Sequence, residues 1–421
     1  MYPHCLNRRT WRGAAPALLM FAGAFACPVH ASNGVEATGI GLAARSRGGA
    51  DVAVGDSALS QIANPATLSL TPVGEHRLDF AGKLVFPSAS WSGPLDSADS
   101  TRRLVPLLDM AYAEAIDRNW SWGIAVHTKS GLSSQYNYRP LMMPWTEHRV
   151  GADAKNLGAY FDTAYRVSDR LSLGVGGRAE FITAEFRAPF GPADVKFGRG
   201  CAYGGGFQLG LLYKPRDDLS FGLAYRSPTW CTDISGGEVQ ASLFGLPAVP
   251  IGAGNIDDIK LPQRVSGGVA WDVTDRLKLV GEVRWINYAN STWNDMTIAI
   301  SGPIDARVPL PLGYGDQWVF IVGAEYKLDE HWTLGAGYNH GTNAMRSSHL
   351  LPIGSILARD HVSVGLRYAR DNWWVGGGYI LALSEHMSGG GRSRIPLGVD
   401  YALGEVEQTQ HALTFGFGFS W

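Results

Sequence analysis

The sequence predicts an all-β fold: a transmembrane antiparallel β-barrel of about 14 strands, with an N-terminal plug in its lumen. Of 421 residues, 18% are charged, 11% are aromatic and 53 are Gly, whereas soluble domains are about 25% charged. No apolar run reaches the roughly 18 residues of a membrane-spanning helix. Short segments instead alternate apolar and polar residues, as expected of strands that have one face in lipid.

The first 31 residues have the organisation of a secretory signal peptide. A basic start is followed by the apolar stretch 14–26 and by Val29-His30-Ala31, which fits a small-x-small cleavage site. The basic residues are Arg8, Arg9 and Arg12. We therefore expect the domains to be a cleaved signal peptide (1–31), an N-terminal hatch (32–74) and the barrel (75–421). Lipoprotein processing at Cys27 is the alternative.

The hatch segment, 32–74, lacks the strand alternation and is rich in Gly and Ala. A disordered tail would be charged and poor in apolar residues. This segment instead contains regularly spaced apolar side chains, which favours a plug folded into the lumen. They are Ile40, Leu42, Val52, Val54, Leu59, Ile62, Leu68 and Leu70.

From about residue 75 onward, apolar residues occupy alternate positions, for example in 277–285 and 331–339. Because a charge on the lipid face costs roughly 2–4 kcal/mol at the midplane, we expect the charged positions to face the lumen. Short Asp- or Asn-containing turns of the hairpin type divide the segments. They lie at 117–119, 168–170, 215–217, 274–276, 329–330 and 371–372.

These six turns, with a first and a last strand, give 14 strands with both termini in the periplasm. Counts of 12 or 16 remain alternatives, because 105–113 and 295–301 are weakly patterned. The last strand alternates aromatic and small residues and ends on Trp421, which resembles the C-terminal signal of bacterial outer-membrane barrels. The expected location is therefore the outer membrane of a Gram-negative cell.

Several motifs resemble the FadL/TodX-type (OMPP1) family of outer-membrane transporters. They are Thr38-Gly39-Ile40-Gly41, Gly48-Gly49-Ala50, Asp56, Asn64-Pro65-Ala66, Tyr225-Arg226-Ser227, Leu261-Pro262 and Trp332-Thr333-Leu334. The resemblance implies uptake of long-chain fatty acids or aromatic hydrocarbons by passive, hatch-gated diffusion, with release through a gap near a kinked third strand. It also implies that Asn64, Pro65 and Ala66 lie near that strand, at about 120–130, where Gly131 is a candidate break or an ordinary loop glycine.

An apolar substrate needs an apolar capture surface that faces water. Apolar residues are concentrated in three predicted outer loops, 131–150, 188–199 and 233–258. The candidate substrate-binding residues are Phe190, Phe197, Leu243, Phe244, Leu246, Val249 and Ile251, and the first loop adds Leu141, Met142, Met143 and Trp145. Packing of the loops against one another is the alternative role for these side chains.

A fatty acid also needs a partner for its carboxylate, and the fork of an Arg side chain suits that group. Arg187, after Phe181 and Phe186, is the candidate, with a water-facing rim position as the alternative. The resemblance implies a second basic position near residue 315, which is Gly315 here. Neutral hydrocarbons therefore remain alternative substrates.

The hairpin centred on Arg216 would place Leu209 opposite Leu223 and Cys201 opposite Cys231. Directly opposed antiparallel residues have Cα atoms roughly 4.5–5.5 Å apart, a separation compatible with a disulfide. We therefore predict a Cys201–Cys231 bridge at the outer rim, provided that no bulge near Pro228 shifts the register.

Other functions receive less support. The 36 basic and 38 acidic residues nearly balance, which argues against nucleic acid as a partner. The sequence contains no zincin, Cys-x-x-Cys or Walker-type motif, so no cofactor, metal or enzymatic activity is predicted. A polar-solute porin and a phospholipase-like barrel enzyme are the alternatives. The expected partners are a hydrophobic small molecule, outer-membrane lipid and lipopolysaccharide, and the expected state is a monomer.

Overall fold

The computed structural model describes residues 34–303 and 305–421, apart from the side chains of 130–132. The predicted signal peptide lies outside the described residues. Within these ranges, no helix is both long and apolar enough to cross a membrane.

Fourteen antiparallel strands form the wall of the protein. The first six are His76–Ser92 (β1), Val105–Ala115 (β2), Trp120–Tyr138 (β3), His148–Ser168 (β4), Leu171–Phe190 (β5) and Ala193–Arg216 (β6). Four interrupted strands follow: Leu219–Arg226, Thr229–Cys231 and Ile234–Leu243 (β7); Val249–Asp257, Lys260–Leu261 and Arg264–Asp272 (β8); Leu277–Ile286 and Asp295–Ser301 (β9); Ala306–Pro311 and Gln317–Lys327 (β10). The last four are Trp332–Gly341 (β11), Asp360–Arg370 (β12), Trp373–Ser388 (β13) and Glu405–Ser420 (β14).

Each strand pairs with its neighbours in sequence, and β1 pairs with β14 from Arg77↔Ser420 to Ser92↔Glu405, which closes the barrel. The predicted fold and strand number are confirmed. The weakly patterned segments 105–113 and 295–301 belong to β2 and β9. All six predicted turns connect strands at one end of the barrel. There, the N–H of His76 donates to the carbonyl of Trp421, and the two rings stack 5.3 Å apart.

The outer surface of the wall is apolar, as the alternation predicts. Strand positions such as Phe161, Leu223 and Val322 are more than half exposed. Aromatic side chains cluster near the short turns, including the Trp120–Tyr165 and Trp332–Tyr368 pairs, whose rings are 4.7 and 4.9 Å apart. Such a girdle marks the membrane–water interface of an outer-membrane barrel.

Residues 34–75 form no barrel strand and are largely buried against the inner face of the wall. We call this stretch the N-terminal segment. It contains the helix Leu42–Ser46 (α1) and two 3₁₀ turns, Ala58–Ile62 and Pro65–Leu70. Helix α1 packs on β11 to β14, and the second 3₁₀ turn packs mainly on β4 to β6.

Inward-facing glycines let the N-terminal segment approach the wall closely. A Cβ added at Gly210 would lie 2.0 Å from Asn64 Oδ1, and one at Gly222 would lie 2.0 Å from the Val52 carbonyl oxygen. Similar clashes with the segment arise at Gly123, Gly174, Gly268, Gly323, Gly335, Gly337, Gly365, Gly376 and Gly416. The many glycines of the composition therefore include a ring of positions where only a hydrogen atom fits.

The outer half of the lumen is filled by apolar side chains from the connections that follow β11 and β13. Leu350, Leu351 and Ile353 are at most 3% exposed, and Tyr401 is 1% exposed. The Tyr314 hydroxyl donates to the Gly354 carbonyl at 2.8 Å and accepts from the Ile356 N–H at 3.2 Å. The long connection after β11 thus folds inward, which the sequence did not reveal.

The predicted disulfide is wrong, because Cys201 and Cys231 are both free. The turn lies at Asp217–Asp218 and the register shifts between Tyr213 and Arg216, so Leu211 rather than Leu209 pairs with Leu223. After a further break at 227–228, Cys231 lies opposite Gly204. Cys201 is three positions farther along β6, opposite Ser235.

Candidate functional site: the outer surface, lumen and wall of the barrel

An exposed apolar patch occurs at the outer end of the barrel, and we call it the outer apolar surface. It combines the β7–β8 hairpin tip with the connections that follow β3 and β13. Its members have 40–65% of their surface exposed: Met142, Trp145, Leu243, Phe244, Leu246, Val249 and Leu397. Such a concentration of exposed apolar side chains is typical of a binding surface.

Direct contacts hold these connections together. Trp145 Nε1 donates to the Phe244 carbonyl at 3.3 Å, and the Phe244 N–H donates to the Pro192 carbonyl at 2.8 Å. At the neighbouring Gly191, an added Cβ would lie 3.0 Å from Leu397 Cβ and 3.4 Å from Met142 Sδ. The predicted outer loops thus meet, although much of each is not a loop but an extension of strands β3 to β8.

Two members of the patch have unusual backbone conformations. Phe244 and Leu397 have φ values of 51° and 52°. The other described non-glycine residues with positive φ are Asp258 and Asp371, and aspartate tolerates this region better than bulky apolar residues do. Two large apolar side chains are therefore kept exposed at positions where Gly or Asn would be less strained.

The other predicted substrate residues are less exposed. Phe190 and Ile251 are partly buried and pack on the lumen cluster. Phe197 is fully buried, and its ring stacks on Phe186 at 5.5 Å. These three side chains line or support the interior and do not belong to the outer apolar surface.

A cavity of about 230 Å³ lies beside the Phe186–Phe197 pair, between the outer parts of β3 to β6. Arg187 lines it, as does a set of further polar and charged residues: Arg102, Gln135, Arg149, Asp153, Glu185 and Lys196. Within the described chain, Arg102, Arg149 and Lys196 form no ion pair. The cavity therefore contains cations that have no carboxylate partner among the described residues. Arg149 Nη2 donates to Gln135 Oε1 at 2.7 Å, and the nearby rings of Phe186 and Phe197 are at most 9% exposed.

Arg187 itself already forms an ion pair with a carboxylate of the protein. Its Nε and Nη2 lie 3.0 and 2.5 Å from Asp194 Oδ2, and His148 Nδ1 lies 2.9 Å from the same oxygen. Arg187 pairs with Lys196 across the β5–β6 ladder, so Asp194 is its diagonal neighbour. Lys196 and Arg149 are better placed than Arg187 to receive an anionic ligand.

On the side that faces β2, strand β3 is paired over only part of its length, although the Thr101 N–H donates to the Gln135 carbonyl farther out. The β2–β3 ladder runs from Ala115↔Ser121 to Asp109↔His127, and within the described chain no ladder pair joins these strands beyond it. The register against β4 shifts between Thr128 and Ser130, whereas Gly131 is regularly paired with Lys155. The break predicted at Gly131 thus lies at Lys129, where an extra residue bulges the strand.

The Asn-Pro-Ala tripeptide has its closest wall contacts on strands β5 and β6. A Cβ added at Gly174 or Gly210 would strike it, and Asn64 Nδ2 donates to the Leu211 carbonyl at 3.0 Å. The tripeptide therefore packs mainly on β5 and β6, and the 3₁₀ turn that begins at Pro65 also contacts β3. Asn64 is also the N-cap of the following 3₁₀ turn, since its side chain accepts from the Ala66 N–H.

Gln61 of the N-terminal segment contacts both β2 and β3. Its Nε2 lies 3.2 Å from the Tyr112 carbonyl and 3.5 Å from the Ile124 carbonyl. A Cβ added at Gly123 would lie 2.5 Å from Gln61 Oε1. Sequence reasoning missed this residue, because a lone Gln in an apolar segment carries no signal of its partner.

Buried ion pairs join the N-terminal segment to the wall. Arg45 pairs with Asp109 of β2, which also lies 2.6 Å from His127 Nδ1 of β3. On the opposite side, Glu282 Oε2 of β9 accepts from the N–H groups of Asp51 and Val52, at 2.7 and 3.0 Å. Charged wall positions do face the lumen, and these pairs anchor the segment.

Arg47 is the most highly connected of these charges. Its Nη1 lies 2.7 Å from Asp56 Oδ2 and 2.8 Å from Glu325 Oε1, while its Nη2 lies 2.9 Å from Asp51 Oδ1. Burial alone would raise the pKa of Asp56, but the guanidinium groups of Arg47 and Arg367 hold that pKa below its ordinary value. The Asp56 carboxylate therefore stays ionised inside the barrel.

The periplasmic mouth of the lumen is strongly charged. A cavity of about 570 Å³ there is bordered by the turns after β6, β8 and β10. Its charged lining residues are Asp56, Asp217, Asp218, Asp272, Asp275, Arg276, Lys278, Glu325, Lys327 and Arg367. Such a lining is a poor exit for an apolar solute, because the solute cannot replace the water that solvates these charges.

Comparison with known proteins agrees with this architecture. Residues 17–375 match the model of the outer membrane protein transport protein family (OMPP1/FadL/TodX). The chain belongs to this family. It is 22% identical over 394 residues to Outer membrane protein P1 of Haemophilus influenzae, covering 79% of this chain and 81% of that protein. As an OMPP1/FadL/TodX member, it is a transporter of hydrophobic compounds in the Gram-negative outer membrane and not an enzyme.

Solved structures of OMPP1/FadL/TodX-type barrels share the fold. The P. putida toluene transporter TodX superposes with a TM-score of 0.78 at 19% identity, over 91% of this chain and 99% of that chain. A Pseudomonas aeruginosa FadL homologue gives 0.74 at 14% identity, over 92% and 99%. The Ralstonia pickettii toluene transporter TbuX gives 0.73 at 18% identity, over 91% and 98%.

Proposed function

We propose that the protein takes up long-chain fatty acids: it captures them at the outer apolar surface and releases them sideways through the wall beside β3. The observation that carries the proposal is the cavity of about 230 Å³ near that surface. Arg102, Arg149 and Lys196, which have no carboxylate partner among the described residues, line it together with Phe186 and Phe197. Cations next to apolar surface suit a carboxylate joined to a hydrocarbon chain.

The geometry of the wall supports lateral release. Val105 and Leu107 of β2 are buried in a small apolar cluster inside the barrel, beside the unpaired stretch of β3. An alkyl chain leaving there would pass from apolar side chains to lipid, whereas the periplasmic mouth would expose it to charged groups. In this proposal the N-terminal segment, anchored by Arg45 and Arg47, acts as the hatch.

Aromatic hydrocarbon uptake is the second candidate. Two of the similar structures described above are those of toluene transporters. Gly315 stands where the family resemblance implies a basic residue, and Arg187 is already paired with Asp194. A neutral ring would need the outer apolar surface but not Arg149 or Lys196.

Uptake assays with labelled oleate, toluene and a polar sugar would separate these functions in cells with and without the protein. Replacing both Phe244 and Leu246 by Ser removes two exposed apolar side chains from the capture surface. At about 25 cal/mol per Å² of buried apolar area, the loss should lower uptake of either hydrophobic substrate about tenfold. Leu95→Ser, which changes a residue 53% exposed in the connection after β1, is the matched control.

The charge requirement distinguishes the two substrates. Lys196→Gln combined with Arg149→Gln should reduce oleate uptake and leave toluene uptake unchanged if the fatty-acid proposal holds. Unchanged oleate uptake in that variant would favour the hydrocarbon. If deletion of the protein lowers only sugar uptake, both proposals are wrong. Lipopolysaccharide contact and the monomeric state remain predictions.

A further inference from the structure

Two arginines face each other inside the barrel. Arg226 of β7 and Arg264 of β8 are directly opposed in the ladder, and both are at most 6% exposed. Like charges at directly opposed positions repel one another and destabilise a sheet. Burial increases that cost, because water cannot screen the pair. The pair therefore needs an anion.

The N-terminal segment supplies that anion. The carboxylate of Glu36 bridges the pair, with Oε1 on Arg226 Nη2 and Oε2 3.1 Å from Arg264 Nη1. The side chain of Glu36 is only 7% exposed. A carboxylate held between two guanidinium groups has the contacts that a free carboxylate ligand would make. Glu36 thus occupies a ready-made carboxylate site.

The site is not fully neutralised. Nearby, Lys129 and Arg178 share the carboxylate of Glu180, and Arg284 pairs with Glu282. Arg226 and Arg264 share the single charge of Glu36, which leaves one positive charge without a partner of its own among the described residues. Arg226 Nε is also buried and has no acceptor among them.

A small cavity adjoins Glu36. Its volume is about 20 Å³, and Lys129, Arg226, Arg264 and Arg284 contribute to its lining. A space of roughly 10–15 Å³ on this measure holds one water molecule. The cavity by itself therefore holds about one water molecule, and a ligand carboxylate would occupy the space that Glu36 now fills.

Apolar side chains lie immediately next to Glu36. Val35 is buried in the apolar cluster of the outer lumen, and its N–H donates to the Tyr288 hydroxyl at 3.0 Å. Residues 34–37 thus separate the apolar outer lumen from the cationic cavity. If the carboxylate of a ligand bound to Arg226 and Arg264, its alkyl chain would contact the apolar side chains that now pack against Val35.

We propose that Arg226 and Arg264 form a carboxylate-exchange site, occupied at rest by Glu36 and in transit by the carboxylate of a long-chain fatty acid. The inference rests on the proposed function and adds a named head-group site in the lumen. The exchange replaces one carboxylate by another, so the net charge of the site is unchanged. The displaced Glu36 frees residues 34–37 from the lumen wall.

The test measures equilibrium binding of radiolabelled oleate and of its uncharged methyl ester to the purified full-length protein in detergent. Glu36→Gln removes the internal competitor and should tighten oleate binding about tenfold. Arg264→Gln should weaken it about tenfold, and Arg264→Lys, which keeps the charge but loses the fork, should weaken it less. Methyl oleate binding should not change in any variant. Thermal unfolding of each variant verifies that the barrel is folded.

Glu75→Gln is the matched control, because Glu75 pairs with Arg77 at the periplasmic end, away from the lumen. The exchange site is refuted if the Glu36→Gln and Glu75→Gln variants bind oleate with equal affinity. It is also refuted if the affinity for methyl oleate changes in parallel with the affinity for oleate across the variants. If the wild-type protein binds neither compound, the proposed function fails as well. If it binds both compounds and no variant alters oleate binding, only the exchange site fails.

Discussion

The close contact between Gly210 of β6 and the Asn-Pro-Ala tripeptide can be used to test how the N-terminal segment is held in the lumen. Gly210→Ala adds one methyl group to the inner face of β6. That Cβ would lie 2.0 Å from Asn64 Oδ1 and 2.9 Å from Pro65 Cδ. Because both neighbours belong to a short turn packed against the wall, the turn must move inward to accommodate the methyl group.

The structure sets the size of the effect. Overpacking a close contact costs about 1–3 kcal/mol. An inward shift also strains the bonds from Asn64 Nδ2 to the Leu211 and Val52 carbonyls, which are 3.0 and 2.7 Å long and contribute about 1 kcal/mol each. We expect docking of the segment to weaken by about 2–4 kcal/mol, or on the order of 30- to 1,000-fold in its equilibrium constant.

Amide hydrogen exchange measured by mass spectrometry reports this local opening directly. In Gly210→Ala, the protection factors of peptides spanning 58–71 should fall at least about 30-fold, while those of the barrel peptides should not change. Gly177→Ala is the control, because a Cβ at Gly177 of the adjacent strand β5 meets no atom within 4 Å. Equal protection of 58–71 in the two variants would refute the reasoning that Gly210 is required for close approach.

Two further predictions follow from the same structure. Peptide mass spectrometry of unreduced protein should find Cys201 and Cys231 both alkylated; a peptide pair linked through their sulfurs would contradict the observed register. Arg47→Gln should destabilise docking of the N-terminal segment by about 3–5 kcal/mol, because buried carboxylates, including Glu325, lose their cation. The rate at which a protease cleaves the segment measures this loss of docking stability. Arg216→Gln at an exposed turn should change it by less than about 0.5 kcal/mol, and equal cleavage of the two variants would show that the Arg47 pairs do not anchor the segment.

The proposed function places three tasks along the barrel. The outer apolar surface, with the exposed Phe244 and Leu397, would capture the substrate. The cationic positions would bind its head group, and release would occur where the β2–β3 ladder ends. The N-terminal segment contacts the wall all round the lumen. It is held both by apolar packing, for example of Leu59 and Ile62, and by buried polar contacts such as those of Arg45 and Arg47.

The sequence by itself determined the fold class, the strand number and the turns, because alternation in a strand directly reports which face meets lipid. The same rule correctly placed Glu282 and Arg284 toward the lumen. It could not locate bulges, since one extra residue leaves the apolar pattern on either side intact. The error at Cys201 and Cys231 has this cause, and the bulge of β3 at Lys129 was likewise not visible in the pattern.

Only the tertiary structure decided which lumen groups meet. Arg47 and Glu325 are 278 positions apart in the chain, and no local pattern links Glu36 to Arg226 or Asn64 to Gly210. These contacts depend on how the N-terminal segment is oriented within a closed ring of strands. That orientation depends on inward-facing small residues and buried charges from all around the wall. These residues come together only in the assembled barrel.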